Sequence, residues 1–276
     1  MPRLKDHSAY RIDPDKPLRL KKIPADTTGD FADADAAKEA LKKHRDTVDK
    51  LQELLYASAT HGLLIVLQGM DTSGKDGTIR SIFAGVNPQG CNVTSFKVPT
   101  ATEAKHDFLW RVHNAVPARG MIGIFNRSHY EDVLAPRVHG QIDGKTAKRR
   151  LEQIRTFESM LTENGITIRK FFLHISFEEQ GRRLQARIDD PDKHWKLSEG
   201  DFAERKFWGE YQDAYDDIFA ATSTDEAPWY VIPAEHKWQR NVAISGVIAD
   251  TLASMKLAYP KPTIDVKKLE VVNSYK

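Results

Sequence analysis

The chain has 276 residues, 40% hydrophobic and 29% charged, with a net charge of only +2. That suits one large α/β domain with a sizeable core and lacks the global basic field of many nucleic-acid binders. The single cysteine, Cys91, excludes an intramolecular disulfide and fits a reducing compartment as a small buried hydrophobe. No apolar run approaches the ~18 residues of a membrane span, and the first residues lack a hydrophobic signal region, so a soluble, cytoplasmic protein without membrane contact is expected.

Residues 1–32 read as an extended arm, with Pro2, Pro14, Pro17 and Pro24 among mixed charges. Its apolar residues Tyr10, Ile12, Leu18, Leu20 and Ile23 suggest that it packs on something. A single domain is expected over 33–276, beginning with a helix over 33–60. There Ala37, Ala40, Leu41, Val48, Leu51, Leu54 and Leu55 form one stripe.

Leu63 to Gln68 is rich in branched side chains, as a strand buried on both faces should be. A turn with Gly69, Gly74, Lys75 and Gly77 follows, and then a helix-like run from Thr78 to Phe83. Gly69-x4-Gly74-Lys75 fits most of the phosphate-binding P-loop pattern, but Asp76 stands where Ser or Thr usually helps to hold Mg²⁺. Glycines let backbone N–H groups close around an anion, and the helix N-terminus adds partial positive charge. An ordinary strand–turn–helix link with a surface lysine is the alternative.

A second strand is expected at Asn92–Val98, followed by the loop Lys97–Thr100 and a helix from about Thr102 to Val116. Met121–Phe125 reads as a third strand, ending in polar residues from Asn126 to Asp132. A helix over Lys145–Asn164 and a strand over Ile166–Ile175 come next, then a charged helical region from Phe177 to about Ala221. Trp229–Ile232 is the last strand and Trp238–Met255 the last sizeable helix. Strands alternating with helices predict a three-layer α/β fold with a mostly parallel, doubly wound sheet and the P-loop at its C-terminal edge.

Phosphoryl transfer is mostly positioning and charge neutralisation. Asp71, inside the phosphate loop, would repel phosphate unless a cation intervened, so it is a candidate Mg²⁺ ligand; a turn hydrogen bond is the alternative. Asp76 can face the metal or cap the helix starting near Gly77, and the cap is preferred. Asn126 stands where many P-loop proteins place a metal-binding Asp, so Glu131 or Asp132 is expected to contribute. Arg127 can reach a transferring phosphate or make a structural salt bridge, and His129 is expected to pack. Between Arg182 and Lys206 cations and carboxylates alternate, which fits solvated helix faces. The break Asp189-Asp190-Pro191-Asp192-Lys193 instead suggests a lid over about 178–210 that carries cations above the phosphate loop.

These residues resemble the polyphosphate kinase 2 family, whose members exchange phosphate between inorganic polyphosphate and nucleotides. The likeness runs from about Leu63 to Leu252 and rests on GMDTSGKDG (69–77), FKVPT (96–100), HDFLWRVH (106–113), FNRSHYEDVL (125–134), DDPDKHWKLS (189–198) and ERKFWGEYQDAYDDIF (204–219). It implies a thymidylate-kinase-like core with a helical lid, Mg²⁺ dependence and a homo-oligomer, dimer or tetramer. It implies that Asp71 organises the metal, with Glu131 as the second candidate ligand, and that Lys75 contacts phosphate. Arg127, Arg187, Lys193 and Lys196 would handle phosphate groups. Lys97, Thr100, Asn126 and Arg137 join Gly69, Gly74, Asp76 and Gly77 as candidate phosphate or nucleotide contacts. FNRSHYEDV resembles the branch that phosphorylates AMP and sometimes ADP, although other branches carry Asp at Asn126.

The expected activity is reversible phosphoryl transfer between inorganic polyphosphate and AMP or ADP, with guanine nucleotides as the alternative to adenine. An ATP-dependent nucleoside monophosphate kinase is the first rival. A non-catalytic P-loop regulator or nucleic-acid binder is the second, since Trp195, Phe202, Phe207 and Trp208 interleave with the lid cations.

Overall fold

The computed structural model describes residues 7–271 except 17 and 30; Pro2 and Pro17 of the expected arm and the last five residues of the expected domain lie outside the described residues. Among the described residues five parallel strands form one sheet: β1 Gly62–Gln68, β2 Cys91–Ser95, β3 Ile122–Asn126, β4 Ile166–His174 and β5 Trp229–Pro233. Their order is β2-β3-β1-β4-β5. The central strand β1 is buried along its whole length and pairs on both sides, Leu63 opposite Ile122 and Gly62 opposite Ile166.

Strand periodicity sorts β1 between two helical layers. Leu63, Ile65 and Leu67 face a core shared with α1 (Ala34–Ser58), α2 (Lys75–Ile82) and α9 (Lys237–Ser254). Leu64 and Val66 face the other core, built with α4 (Glu131–Val138), α5 (Gly144–Glu163) and α8 (Trp208–Thr222). With the phosphate loop between β1 and α2, this is the expected three-layer P-loop kinase architecture. The helical lid is α6 (Phe177–Ile188), a 3-10 turn at Pro191–Lys196 and α7 (Glu199–Ala203).

The described part of the arm belongs to the same core. Ile12 and Leu20 are buried, Arg11 bridges Tyr230 at the edge of β5, and the Leu20 N–H donates to Asp216 Oδ1 at 2.9 Å. It is not extended throughout, since His7–Tyr10 and Leu20–Lys22 are 3-10 turns.

Three local expectations need correction. The helix expected over 102–116 is a 3-10 turn at Glu103–Lys105 and a single turn, α3, at Trp110–His113. Thr100 and Glu103 cap each other reciprocally, His106 is extended, and Asp107 Oδ1 accepts from the Leu109 N–H, so local polar bonds stop the helix. The second strand ends at Ser95 rather than Val98, because β3, its partner, ends at Asn126. Beyond the polar residues expected after β3 the chain forms the helix α4, with Pro136 inside it. Proline removes the amide that would bond the Asp132 carbonyl, and Arg150 Nη1 supplies that bond instead at 2.5 Å.

Lys170 on β4 is fully buried and donates to Glu158, Tyr130 Oη and the Thr222 carbonyl. Glu158 also meets His129 Nε2 at 3.1 Å, so His129 packs inside, as expected, and the chain just after Arg127 is tied to β4 and α5. Among the described residues no helix is long and apolar enough to cross a membrane.

Candidate active site

The loop from Gly69 to Gly74 turns by left-handed backbone at Gly69 (φ 147°), Thr72 (φ 65°) and Gly74 (φ 103°). Gly69 is required, because a Cβ there would lie 2.8 Å from the Leu173 carbonyl; at Gly74 it would collide with Arg240 Nη1. Side chains hold the loop's carbonyls. Arg183 Nη1 donates to those of Thr72 and Ser73, each at 3.0 Å, Gln180 to that of Asp71 at 3.1 Å, and Lys75 Nζ to that of Gly69 at 2.7 Å. The amides of Lys75, Asp76 and Gly77, in the first turn of α2, have no intrahelical acceptor and are donors for an anion.

Lys75 is pushed down to about 8 by burial and by the neighbouring Arg127, while Asp71, Glu131 and Asp76 act to keep it charged. Arg127 Nη2 donates to Asp71 Oδ1 at 2.6 Å. Burial works against the Arg127 charge, yet Glu131 and Asp71 more than offset it. Arg127 is itself left-handed, φ 61°, immediately after β3, a strained backbone of the kind that gathers at functional sites. Asp76 lies in the first turn of α2, whose N-cap is Gly74, so the expected cap role is not the one seen. Asp76 instead accepts from Asn126 Nδ2 at 2.6 Å, because the ends of β1 and β3 are adjacent.

A cavity of about 620 Å³ brings together Asp71, Gly74, Lys75, Asp76, Gly77, Lys97, Asn126 and Arg127 with the lid's Arg187, Lys193 and Lys196. Gly69 shapes the loop behind it. Glu131 accepts from Gln68 at 3.0 Å and is close enough to favour the charged forms of Lys75 and Arg127. Thr100 is exposed in its capping box, and Arg137 is ion-paired with Asp217 on α8; neither lines the cavity. Asp132, the other metal candidate, is held by Arg111 at 2.8 Å and faces a different cleft.

Sequence reasoning did not single out Thr72, Asp201 or Arg240, which also line the cavity. Thr72 Oγ1 is buried without a hydrogen-bond partner. Asp201 is ion-paired with Arg187, and burial, then the charge of Asp71, raises its carboxyl above the usual range. Arg240 comes from α9, far along the chain, and no local signal marks it. A second cleft of about 830 Å³ lies between residues 99–111 and α5, with Phe108, Leu109, Phe157 and Met160 in its wall. Arg111 lines it and donates to the Lys97 carbonyl, so the two clefts meet there.

Among the described residues no three acidic, His or Cys side chains form a preassembled metal cluster. Magnesium is usually held by one or two carboxylates together with substrate phosphates. The Asp71 and Glu131 carboxylates around Lys75 fit an ion that arrives with phosphate.

The polyphosphate kinase 2 family model matches residues 31–260. An AMP/ADP-polyphosphate phosphotransferase from Meiothermus ruber is 49% identical over 263 residues, 95% of this chain and 98% of that protein. An ADP-polyphosphate phosphotransferase from Rhodopseudomonas palustris is 43% identical, covering 92% of each chain. The crystal structure of polyphosphate kinase 2 from Arthrobacter aurescens TC1 superposes with a TM-score of 0.91 at 42% identity, over 96% of this chain and 95% of that one. With a P-loop, a cation-bearing lid and matches along nearly its whole length, the chain belongs to the polyphosphate kinase 2 family.

Proposed function

We propose that this chain catalyses reversible, Mg²⁺-dependent phosphoryl transfer between inorganic polyphosphate and AMP or ADP. The observation that carries this reading is the composition of the phosphate cavity. Among the described residues its wall holds nine Lys or Arg side chains against three Asp, and Phe96 and Ala186 are its only apolar residues. A purine needs flat apolar or aromatic contact, whereas a polyanion needs cations along its length, so the cavity suits polyphosphate better than a nucleoside triphosphate. The names of the Meiothermus and Rhodopseudomonas relatives point the same way.

The acceptor's nucleoside takes the second cleft, where Phe108, Phe157 and Met160 supply apolar contact, and its phosphate reaches the junction at Lys97 and Arg111. Lys75 and the first-turn amides of α2 bind the phosphoryl group being transferred, and Arg127 swings from Asp71 onto its developing charge. Asp71, with Glu131 behind it, holds Mg²⁺, which when bound neutralises phosphate charge. Arg187, Lys193 and Lys196 hold the donor chain and exclude water as the lid closes. One phosphoanhydride is broken and another made, so the direction follows substrate concentrations.

Purified protein given AMP, Mg²⁺ and polyphosphate without ATP is expected to form ADP and then ATP. If it phosphorylates AMP only when ATP replaces polyphosphate, it is a nucleoside monophosphate kinase and the reading fails.

A further inference from the structure

Among the described residues three cations are buried: Lys170, Arg111 and Arg240, the last only 3% exposed. Lys170 is paired with Glu158 and Arg111 with Asp132. Among the described residues Arg240 has no carboxylate partner. It donates to Asn241 Oδ1 from Nε and Nη2, at 3.1 and 2.9 Å, and from Nη1 to the Ser73 carbonyl at 3.4 Å. Its other charged neighbour is Arg183, and the two repel: burial and then Arg183 push Arg240 down to about 10.

The position makes the imbalance greater. The guanidinium lies against Gly74 and Gly77, at the N-terminus of α2, where the helix dipole already favours negative charge. A desolvated cation without a counter-charge is destabilising, and more so at that end of a helix. The orientation is nonetheless fixed from behind, since Asn241 Nδ2 donates to Ser81 Oγ on α2 at 2.9 Å. A cation held rigidly against its own electrostatic interest, in the wall of an anion cavity, calls for an anion from outside the chain. Three residues earlier on the same helix the exposed Lys237 lines the same cavity and is the next cation along this wall.

We infer that Arg240, followed by Lys237, is a phosphate subsite on the α9 side of the phosphate loop that holds donor polyphosphate beyond the group being transferred. This rests on the proposed polyphosphate donor and adds the path that the donor takes. The chain runs from Lys75 past Arg240 to Lys237, on the side of the sheet away from the second cleft, and Arg240 receives its counter-charge only when the donor is bound.

The test is binding of polyphosphate, of AMP and of ATP to the wild type, Arg240→Met, Arg240→Lys and Lys237→Met, together with the melting temperature of each free protein. Arg240→Met should weaken polyphosphate about tenfold and leave AMP and ATP unchanged. Its ligand-free melting temperature should equal or exceed that of the wild type, because the removed charge was uncompensated. Arg240→Lys should recover most of the polyphosphate affinity, and Lys237→Met should lose about threefold. A lower ligand-free melting temperature for Arg240→Met, or unchanged polyphosphate binding, would overturn the inference in favour of a structural arginine. A loss shared with ATP would assign the subsite to nucleotide phosphates and also overturn it. A wild type that fails to bind polyphosphate would sink the proposed function itself.

Discussion

Asp71 and Arg127 pair at 2.6 Å in the free protein, and the proposed function gives each a separate role once phosphate is present. Asp71→Asn keeps the shape and the turn but removes the charge that a metal needs. The expected result is a loss of Mg²⁺-dependent turnover of at least about a hundredfold, with an unchanged circular dichroism spectrum; retained turnover would show that another group organises the metal. Lys75 gives a pH signature. Its folded value of about 8 lies below the ordinary 10.5, so the free protein gives up this proton as pH rises through about 8. Phosphate affinity should therefore fall above pH 8, and Lys75→Arg, which stays protonated, should flatten that fall. From Lys75 alone the sign for stability is opposite: the folded state disfavours the proton, so stability rises with pH between about 8 and 10.5. Pyrophosphate binding titrated by calorimetry from pH 6 to 9.5 checks the first, and urea unfolding over pH 7–10 the second.

At the scale of elements, the lid was legible because its punctuation is local. Ser176 and Ser198 cap α6 and α7, and Asp190 caps the turn that Pro191 begins. Its cations reach the phosphate cavity while its carboxylates pair among them, as Lys193 does with Asp190 and Arg187 with Asp201. The aromatic residues of this stretch do not form a stacking row: Phe207 packs on His139 and Trp208 on Phe177, leaving Trp195 and Phe202 exposed, at 78% and 40%. Replacing Lys193 and Lys196 together by Ala should raise the KM for polyphosphate about tenfold or more while the KM for AMP stays within about twofold; equal changes would reject a donor-side lid. The short α3 and the unforeseen α4 show the reverse case. Reciprocal caps at 100–103 outweigh an apolar pattern, and a distant Arg150 repairs the bond that Pro136 removes.

For the whole molecule, the arm is part of the core rather than an appendage. Leu20 is fully buried, and its turn is pinned by Asp216 on α8, while the Ile23 carbonyl meets His174 at the end of β4. Leu20→Ala should therefore destabilise the protein by about 2–5 kcal/mol in urea unfolding; a change under about 0.5 kcal/mol would mean that the arm lies on the surface in solution. Two clefts of different character, one cationic and one partly apolar, follow from a sheet whose C-terminal edge is covered by the lid on one side and by the segment from 99 to 111 on the other.

The sequence by itself determined the succession of elements along the chain: buried apolar runs for β1, β3, β4 and β5, the glycine-shaped phosphate loop after β1, and a charged lid broken at Pro191. These are set by contacts within a few residues, where periodicity and turn chemistry act. It also singled out Asp71, Lys75 and Arg127, which the fold brings to one cavity, because each lies in a contiguous motif. Only the tertiary structure decided that Asn126 donates to Asp76, that Asp132 is taken by Arg111, that Arg183 grips the phosphate loop from outside, and that Arg240 is set in the cavity wall beside Ser73. Those choices join residues separated by 21 to 167 positions. A carboxylate's partner depends on which cation the packed helices deliver to it, and no local pattern encodes that.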